Sequence, residues 1–275
     1  MLLEFASPAP ALASHISTYF LHALDYPLIE DRERADVGFL RFLFSGSGSY
    51  RYGDGRSAAS TPVMLLGPST QIADYTVNGP LRTFGAVLLP EFWGGIVDAS
   101  ADSIANCAVD GRPLLGSGAL SCYNDMREMD SVTAMAKRLD VFLLPLIKPL
   151  PQAHLNTITL IGEWLSQCPI PPTTSLYARS TFSERQVMRI ANRYFGAAPK
   201  MLARKFRALR TASRIIGTRG RLAVELVSEY ADLAHMVREV KHFTGMTPRT
   251  IQVASSPIMQ LTLHPANFRH EAPWT

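Results

Sequence analysis

The side chains best suited to contact a polyanion lie in two similar stretches near the end of the chain. The first is 183–200, SERQVMRIANRYFGAAPK, and the second is 232–249, DLAHMVREVKHFTGMTPR. Helical periodicity places the apolar residues of the first stretch on one face and a mostly polar set opposite. This set consists of Arg185, Met188, Arg189 and Asn192. Arginine binds guanine through two hydrogen bonds and asparagine binds adenine in the same way, so this face suits a DNA major groove.

The second stretch predicts a helix with a less basic outer face. Its outward positions are Ala234, Val237, Arg238 and Lys241, with His235 at the edge. Three roles stay open for His235: a contact to a base, a contact to a phosphate, and a structural contact within the protein.

The two stretches form an internal repeat at an offset of 49 residues. The matching positions include Ser183 and Asp232, Gly196 and Gly245, and Pro199 and Pro248. Ser and Asp favour the N-cap of a helix, and glycine favours the left-handed C-cap. Proline cannot continue a helix but can begin the next one. Each copy therefore predicts a capped helix of about 12 residues followed by a second helix.

Each copy also fits the recognition helix of a helix-turn-helix unit. Residues 174–180 are predicted as the supporting helix of the first copy, with a turn at 181–183, and 222–230 as that of the second. Between the copies, 200–216 continue a helical pattern whose charges are all basic. After Lys200 these are Arg204, Lys205, Arg207, Arg210 and Arg214. We expect the first four of these mainly on a solvated surface, with some phosphate contacts. Such a helix could hold the two units about one DNA turn apart, roughly 34 Å.

These features make residues 174–251 resemble the AraC/XylS family of transcriptional regulators. The resemblance is carried by the repeated Arg, Gly and Pro at 189/196/199 and 238/245/248, and by YADLAHMVREVKHFTGMTP at 230–248. It implies a seven-helix DNA-binding domain with two helix-turn-helix units and sequence-specific binding to the major groove of promoter DNA. The family's base-contacting positions correspond to Arg185, Met188, Arg189, Leu233, Ala234, His235 and Arg238. The apolar Leu233 and Ala234 would then contact a thymine methyl group. Residues 79–98 resemble, more weakly, the cupin-like sensor half of some members.

The 275 residues favour two domains, and the charge distribution suggests where they divide. Residues 1–172 carry 11 basic and 17 acidic side chains, a net charge of −6, whereas 173–275 carry 16 and 6, a net charge of +10. The segment 169–175 coincides with this change and is rich in Pro and Thr, so it is predicted as the linker. We therefore expect a sensor or dimerisation domain over 1–168 and a DNA-binding domain over 174–275.

The expected fold class is α+β. A small β-sandwich or cupin-like barrel with flanking helices would precede an all-α domain. Short apolar runs between Gly and Pro turns predict strands at 37–44, 49–52, 62–67, 71–77 and 81–89, within a β-rich region at 37–90. Helical patterns occupy 10–23 and, in the region 91–167, segments 91–97, 118–129, 131–147 and 152–167.

Nine aromatic side chains lie in or next to the predicted strands: Phe39, Phe42, Phe44, Tyr50, Tyr52, Tyr75, Phe84, Phe92 and Trp93. They can form the core or line a pocket for a small apolar effector. In one strand Phe42 and Phe44 share a face, while Phe39, Arg41 and Leu43 share the other, so one face could be core and the other a pocket. Arg41, Arg51 and Arg82 could bind an acid group, although surface ion pairs are the commoner use.

The remaining patterns argue against an enzyme. The histidines show no H-x-H or H-E-x-x-H spacing, and there is no P-loop, G-x-S-x-G or dinucleotide fingerprint, so we expect neither a metal nor another cofactor. The scattered Cys107, Cys122 and Cys168 fit a reducing cytoplasm and buried, unreactive thiols. No apolar run is long enough to span a membrane.

The sequence thus predicts a cytoplasmic regulator that binds double-stranded DNA through the major groove, responds to a small-molecule effector and could form a homodimer. The alternative is a small-molecule binding module whose DNA-binding domain is secondary or degenerate. That alternative follows from the apolar outer face of the second repeat helix.

Overall fold

The computed structural model of the chain describes residues 2–217, 227–254 and 262–264. Within these residues, the first part of the chain forms one antiparallel sheet of eight strands. They are β1 (Leu2–Ala6), β2 (Ile16–Leu24), β3 (Leu28–Glu33), β4 (Gly38–Tyr52), β5 (Ser57–Ala59), β6 (Val63–Leu66), β7 (Ala73–Leu88) and β8 (Ala108–Asp110). Helices follow and pack against this sheet, so the α+β prediction is confirmed.

Two long strands, β4 and β7, organise the sheet because they pair with each other along most of their length. In one half the strand order is β1-β2-β7-β4-β6-β8, through residues 81–88 of β7 and 38–43 of β4. In the other half, β3 pairs with 73–78 of β7 and β5 pairs with 49–51 of β4. The register shifts between Leu43 and Ser47, where the two halves meet.

Both long strands unite segments that the sequence predicts as separate strands. The Gly-Ser-Gly at 46–48 predicts a turn, but β4 continues through it with an irregular register. Gly46 has a φ of +87°, and a Cβ on Gly48 would lie 1.8 Å from the carbonyl oxygen of Thr76 in β7. Glycine is therefore needed here for a bend and a close strand approach, which produce the same local sequence signal as a turn.

The prediction of a helix at 10–23 is wrong, because most of the segment forms β2, after one 3-10 turn at Pro10–Leu12. β2 lies between β1 and β7, and most of its side chains on both faces are buried. A strand buried on both faces shows no alternation in its sequence, so its apolar residues can match a helical spacing. The sequence also does not predict the short strands β1, β3, β5 and β8. They form because they pair with neighbouring strands, and their own residues show too short a hydrophobic pattern to identify a strand.

The helices among the described residues are α1 (Phe92–Gly95), α2 (Arg112–Leu115), α3 (Gly118–Arg127), α4 (Val132–Leu143), α5 (Gln152–Ser166), α6 (Thr173–Arg179), α7 (Glu184–Phe195), α8 (Pro199–Gly217), α9 (Leu233–Thr244) and α10 (Pro248–Ala254). The helices predicted at 118–129 and 152–167 are confirmed as α3 and α5. α4 ends at Leu143, before Pro145, and a 3-10 turn follows it. At 91–97 only the short helix α1 forms. Gly94, within α1, has a φ of +90°, so a regular helix cannot extend over the whole predicted segment.

A continuous apolar core joins the sheet to the helices. Trp93 and Trp164 are its largest fully buried side chains. α4 covers β1 and β2, where the Tyr19 hydroxyl donates to Asp140 at 2.6 Å. α7 contacts α1, α5 and the 3-10 turn Ala101–Ile104. The helices of the repeat therefore pack directly against the first half of the chain.

Candidate DNA-binding surface

The first helix-turn-helix unit consists of α6 and α7. The Ser183 hydroxyl accepts a hydrogen bond from the backbone N–H of Gln186, whose side chain accepts one from the backbone N–H of Ser183 at 3.0 Å. Gly196 follows α7 with a φ of +79°. Both caps predicted for the first repeat copy are confirmed, and Gln186 completes a capping box that fixes where the helix begins.

The two faces of α7 are those that the sequence predicts. The inner face is buried and consists of Val187, Ile190, Ala191 and Tyr194. On the outer face Arg185, Met188 and Arg189 are exposed, and Asn192 is half-buried. The Tyr194 hydroxyl lies 2.9 Å from Nδ1 of His154, which fastens the inner face to α5. α7 thus presents two arginines to solvent from a helix whose opposite side is fixed.

The second unit presents α9. The Asp232 carboxylate accepts a hydrogen bond from the backbone N–H of His235 at 2.6 Å, and Gly245 follows the helix with a φ of +75°, so both predicted caps are confirmed. Leu233, Ala234, Arg238 and Lys241 are exposed. His235 is half-buried, and its Nδ1 accepts a hydrogen bond from the backbone N–H of Ala231, so it has a structural contact. Most of the supporting helix predicted at 222–230 lies outside the described residues.

α8 joins the two units, but the prediction that its basic residues lie mainly on a solvated surface is wrong for Lys205 and Arg210. Lys205 is 1% exposed and donates from Nζ to the carbonyl oxygens of Asp36 at 2.8 Å and Ser69 at 3.2 Å. Burial lowers the pKa of Lys205 to about 8, although Asp36 opposes the change. Arg210 is also buried and donates to the carbonyl oxygen of Gln167. Both lie inside because α8 is covered by other elements on several sides.

Arg204 and Arg207 of α8 both bind Glu239, an acidic residue on the inner side of α9. The Nε of Arg204 and the Nη2 of Arg207 each lie 2.6 Å from one carboxylate oxygen of Glu239. Burial alone would raise the pKa of Glu239, but the hydrogen bonds from the two arginines hold it below its ordinary value. The sequence does not predict a role for Glu239, whose only local signal is an acidic side chain on the buried face of an otherwise basic helix.

An open groove of about 930 Å³ lies between α8, α9 and the segment 170–173. Its basic lining residues are Lys200, Arg204, Arg207, His235, Arg238 and His242, and Glu239 is its acidic member. The groove therefore brings two predicted contact residues, His235 and Arg238, next to the basic side of α8. Such a concentration of positive charge favours a polyanion.

The sheet encloses a separate cavity of about 120 Å³ between its two halves, called here the sheet cavity. Phe39, Arg41 and Leu43 line it, whereas Phe42 and Phe44 are buried in the core, so the predicted division of β4 into a pocket face and a core face is confirmed. The other predicted aromatic residues in its wall are Tyr50 and Tyr75, and the remainder lie in the core or pack against it.

The polar groups of the sheet cavity form a nearly closed network. The Arg41 guanidinium donates to the Glu33 carboxylate and to the Tyr50 hydroxyl. Nε of Arg41 and Nε2 of His22 have no hydrogen-bond partner among the described residues. Burial, with a further contribution from Arg41, lowers the pKa of His22 to about 4. The cavity thus combines aromatic walls with two unsatisfied buried nitrogens.

Arg51 and Arg82, the other arginines that could bind an acid group, make surface contacts instead. Arg51 lies 3.5 Å from the carboxylate of Asp74. Arg82 donates to the backbone carbonyls of Arg127 and Met129 at the end of α3.

A short segment connects the sheet cavity to the helices of the repeat. Arg32, Glu33, Arg34 and Asp36, in the segment 32–36, line the cavity. From the same segment, the backbone N–H of Ala35 donates to the carbonyl oxygen of Phe243 at the end of α9, at 2.7 Å. Lys205 of α8 binds the carbonyl oxygen of Asp36. This segment therefore contacts both the cavity and the two helices that carry and position the second unit.

The cysteines differ in their surroundings, so the expectation of burial for all three is only partly met. Cys122 is buried, and burial raises the pKa of its thiol to about 12. Cys107 is half-buried. Cys168 is exposed, and Arg214 donates to its sulfur at 2.9 Å, a basic neighbour that the local sequence does not reveal.

Within the described part of the chain, no group of three or more His, Cys, Asp or Glu side chains is arranged to hold a metal ion. None of the helices described is both long enough and apolar enough to cross a membrane.

No protein family model matches the chain, and no curated protein matches it. Solved structures of ToxT from Vibrio cholerae resemble it. The apo form of a ToxT variant is 10% identical, with 85% of this chain and 96% of that chain covered and a TM-score of 0.47. ToxT with bound unsaturated fatty acid is 10% identical, with 84% and 93% covered and a TM-score of 0.46. ToxT bound to (E)-4-(8-methylnaphthalen-1-yl)but-3-enoic acid is 11% identical, with 88% and 99% covered and a TM-score of 0.48. At 10–11% identity and TM-scores of 0.46–0.48, this likeness is distant.

Proposed function

We propose that the chain is a sequence-specific DNA-binding transcriptional regulator of the AraC/XylS type and not an enzyme. The observation that carries this proposal is the pair of capped helices, α7 and α9, with outer faces exposed and α8 between the two units. The side chains proposed to contact DNA are Arg185, Met188, Arg189, Asn192, Leu233, Ala234, His235, Arg238 and Lys241.

The length of α8 supports binding to two successive turns of the major groove. Its 19 residues span about 28 Å at 1.5 Å per residue. Recognition helices that enter successive major grooves on one face of DNA are separated by about 34 Å. A helix of this length is compatible with that spacing, with α7 just before its first turn and α9 packed against the side that carries Arg204 and Arg207.

The small-molecule half of the proposal is supported by the sheet cavity. The surface of its wall is mostly apolar, with Phe20, Phe39 and Tyr75 among the lining residues. Arg41 and His22 each offer a buried nitrogen that has no partner among the described residues. An unsatisfied buried polar group costs about 1–3 kcal/mol, so a ligand that supplies the missing partner would bind with that advantage. We propose a small, largely apolar effector with at least one hydrogen-bonding group.

Selection of DNA sites from a random duplex library by the full chain tests the DNA-binding half. The expected result is two short preferred blocks whose centres lie about 10–10.5 base pairs apart, one for each unit. No enrichment of any sequence at low salt would contradict sequence-specific binding.

The cavity also favours a second candidate function, a small-molecule binding module whose DNA-binding half is secondary or degenerate. A thermal-shift screen of metabolites against the full chain, run beside the DNA selection, separates the two. Stabilisation by a metabolite with no enriched DNA sequence would favour this second function. Enriched DNA blocks would favour the first, and a metabolite that changes the affinity for them would identify the effector.

A further inference from the structure

Glu239 faces inward on α9, one residue after the proposed base contact Arg238. It is 3% exposed, although its neighbours on the outer side of the helix, Arg238 and Lys241, are exposed. A buried carboxylate destabilises the fold unless positive or hydrogen-bonding groups surround it. Its burial therefore requires the two arginines of α8 that bind it. Glu239, Arg204 and Arg207 are called here the Glu239 clamp.

Each arginine of the Glu239 clamp also contacts an aromatic ring of the second helix-turn-helix unit. The Arg204 guanidinium lies 5.9 Å from the ring centre of Phe243, and that of Arg207 lies 4.6 Å from the ring centre of Tyr230. A guanidinium over an aromatic face within about 6 Å is attracted to it. α8 is thus joined to the second unit at the Glu239 carboxylate, at Phe243 near the end of α9 and at Tyr230 before α9.

The clamp also reaches a side chain proposed to contact DNA. Nε2 of His235 lies 3.4 Å from the same Glu239 oxygen that binds Arg204. His235 is one turn before Glu239, so the carboxylate restrains the orientation of that ring as well as of the helix.

The first unit has no such clamp at the matching position. The residue 49 positions before Glu239 is Ile190, which is 2% exposed and packs in the apolar core. α7 is held instead by the Tyr194–His154 contact to α5, and Pro68 lies next to the Gly196 that ends it. The two units are therefore attached differently: the second adds a buried charged contact to α8 to its apolar packing and its hydrogen bond from Ala35, whereas the first has an apolar residue at the matching position.

We propose that Glu239 is a positioning residue that sets the orientation of α9 relative to α7, and so the spacing of the two DNA half-sites that the protein prefers. In this arrangement Arg204 and Arg207 bind Glu239 and do not neutralise phosphates. The inference deepens the proposed DNA-binding function and depends on it. One base pair of extra spacing moves a half-site by about 3.4 Å along the DNA and by about 35° around its axis, so a small change in the tilt of α9 alters the preferred spacing.

The test uses the full chain and DNA that carries the two selected blocks at the selected spacing, or with one or two base pairs added or removed. Fluorescence anisotropy gives an affinity for each spacing. Wild-type protein should prefer its own spacing by tenfold or more over a change of one base pair. Glu239→Gln keeps the shape of the side chain but removes the charge, and we expect it to reduce that preference to threefold or less. An unchanged spacing profile in Glu239→Gln would overturn the proposal.

Arg204→Lys provides a second variant. It keeps the positive charge and the aliphatic part of the side chain but removes the guanidinium Nε that donates to Glu239. It should show the same loss of spacing preference. Arg179→Gln serves as the control and should keep the wild-type profile. It removes an exposed arginine of α6 that pairs with Glu163 of α5.

The salt dependence of binding separates the clamp from a phosphate contact. The triple variant Arg204→Gln/Arg207→Gln/Glu239→Gln leaves no uncompensated buried carboxylate, and it should retain the wild-type slope of log affinity against log salt. A slope smaller in magnitude by about 0.9 for each arginine would show that they neutralise phosphates and would overturn the proposal. If wild-type protein selects no DNA sequence, the proposed function fails. If it selects sites but the clamp variants behave like the wild type, the DNA-binding proposal stands and only this inference fails.

Discussion

Lys205 of α8 donates from Nζ to the carbonyl oxygen of Asp36 at 2.8 Å, across the contact between a helix of the repeat and the sheet. The Asp36 carboxylate binds the buried Arg34 guanidinium at 2.6 Å. The three side chains are 1%, 4% and 3% exposed for Lys205, Asp36 and Arg34. A group of charges this deeply buried persists only because its members compensate each other.

Asp36→Ala should therefore destabilise the chain strongly. Removal of one partner from a buried ion pair leaves uncompensated charge and typically costs about 3–5 kcal/mol of unfolding free energy. Urea unfolding of the wild type and the variant measures the loss. Asp74→Ala is the matched control, because Asp74 pairs with Arg32 and Arg51 at the surface and should cost less than about 1 kcal/mol. Similar losses for the two variants would contradict the role given to Asp36.

Arg189→Ala should weaken binding to the selected DNA by about 1–3 kcal/mol, the range of a good bidentate base contact. Binding to scrambled DNA should change less, because phosphate contacts elsewhere are retained. Anisotropy titrations on both DNAs give the two losses. Arg112→Ala removes the same charge from the sheet half, where Arg112 pairs with Asp110, and should leave both affinities unchanged. An equal loss on selected and scrambled DNA would show that Arg189 does not contact a base.

The stability of the chain should fall between about pH 6.5 and pH 4 in part because of His22. Its pKa in the folded chain is lowered to about 4, whereas an unfolded chain binds that proton near pH 6.5. Protons bound only by the unfolded state favour unfolding, so this contribution is lost as the pH falls. His22→Gln cannot titrate, and it should remove about 2 kcal/mol of the stability difference between pH 7.5 and pH 4.5. The measurement is urea unfolding at both values, and identical pH dependence in the two proteins would refute the assignment.

Gly245→Ala should be destabilising for two separate reasons. The φ of +75° disfavours any L side chain by about 1–2 kcal/mol, and a Cβ would lie 2.3 Å from Cδ of Arg32. Gly55→Ala isolates the first reason, since Gly55 has a φ of +87° and nothing within 4 Å of a Cβ. Thermal unfolding should show a larger decrease for Gly245→Ala than for Gly55→Ala. Equal decreases would mean that the contact of Gly245 with Arg32 is easily displaced.

The features predicted correctly from sequence are those with local causes. Ser183, Asp232, Gly196 and Gly245 define helix ends through their own backbone preferences, and the amphipathic pattern of α7 separates its buried and exposed faces. The division of β4 into Phe39 and Phe42 faces likewise follows from alternation within one strand.

The features missed depend on partners far away in the chain. Whether Lys205 is buried is decided by residues 36 and 69, and Glu239 is defined by two arginines more than 30 positions earlier. The same holds for β2. It lies between β1 and β7 and is buried on both faces, so its sequence lacks the alternation of apolar and polar residues that identifies a strand. The residues of each pair lie too far apart in the chain for a local sequence pattern to include both.

The segment 32–36 contributes one wall of the sheet cavity and binds the end of α9 and the middle of α8. Energetic coupling between two binding events is reciprocal: if an occupant of the cavity changes the affinity for DNA by some factor, DNA changes the affinity for the occupant by the same factor. If the proposed effector and DNA both bind, the chain would be as much a DNA-dependent receptor for that small molecule as a ligand-dependent binder of DNA. Its apparent affinity for an effector would depend on how many DNA sites are present.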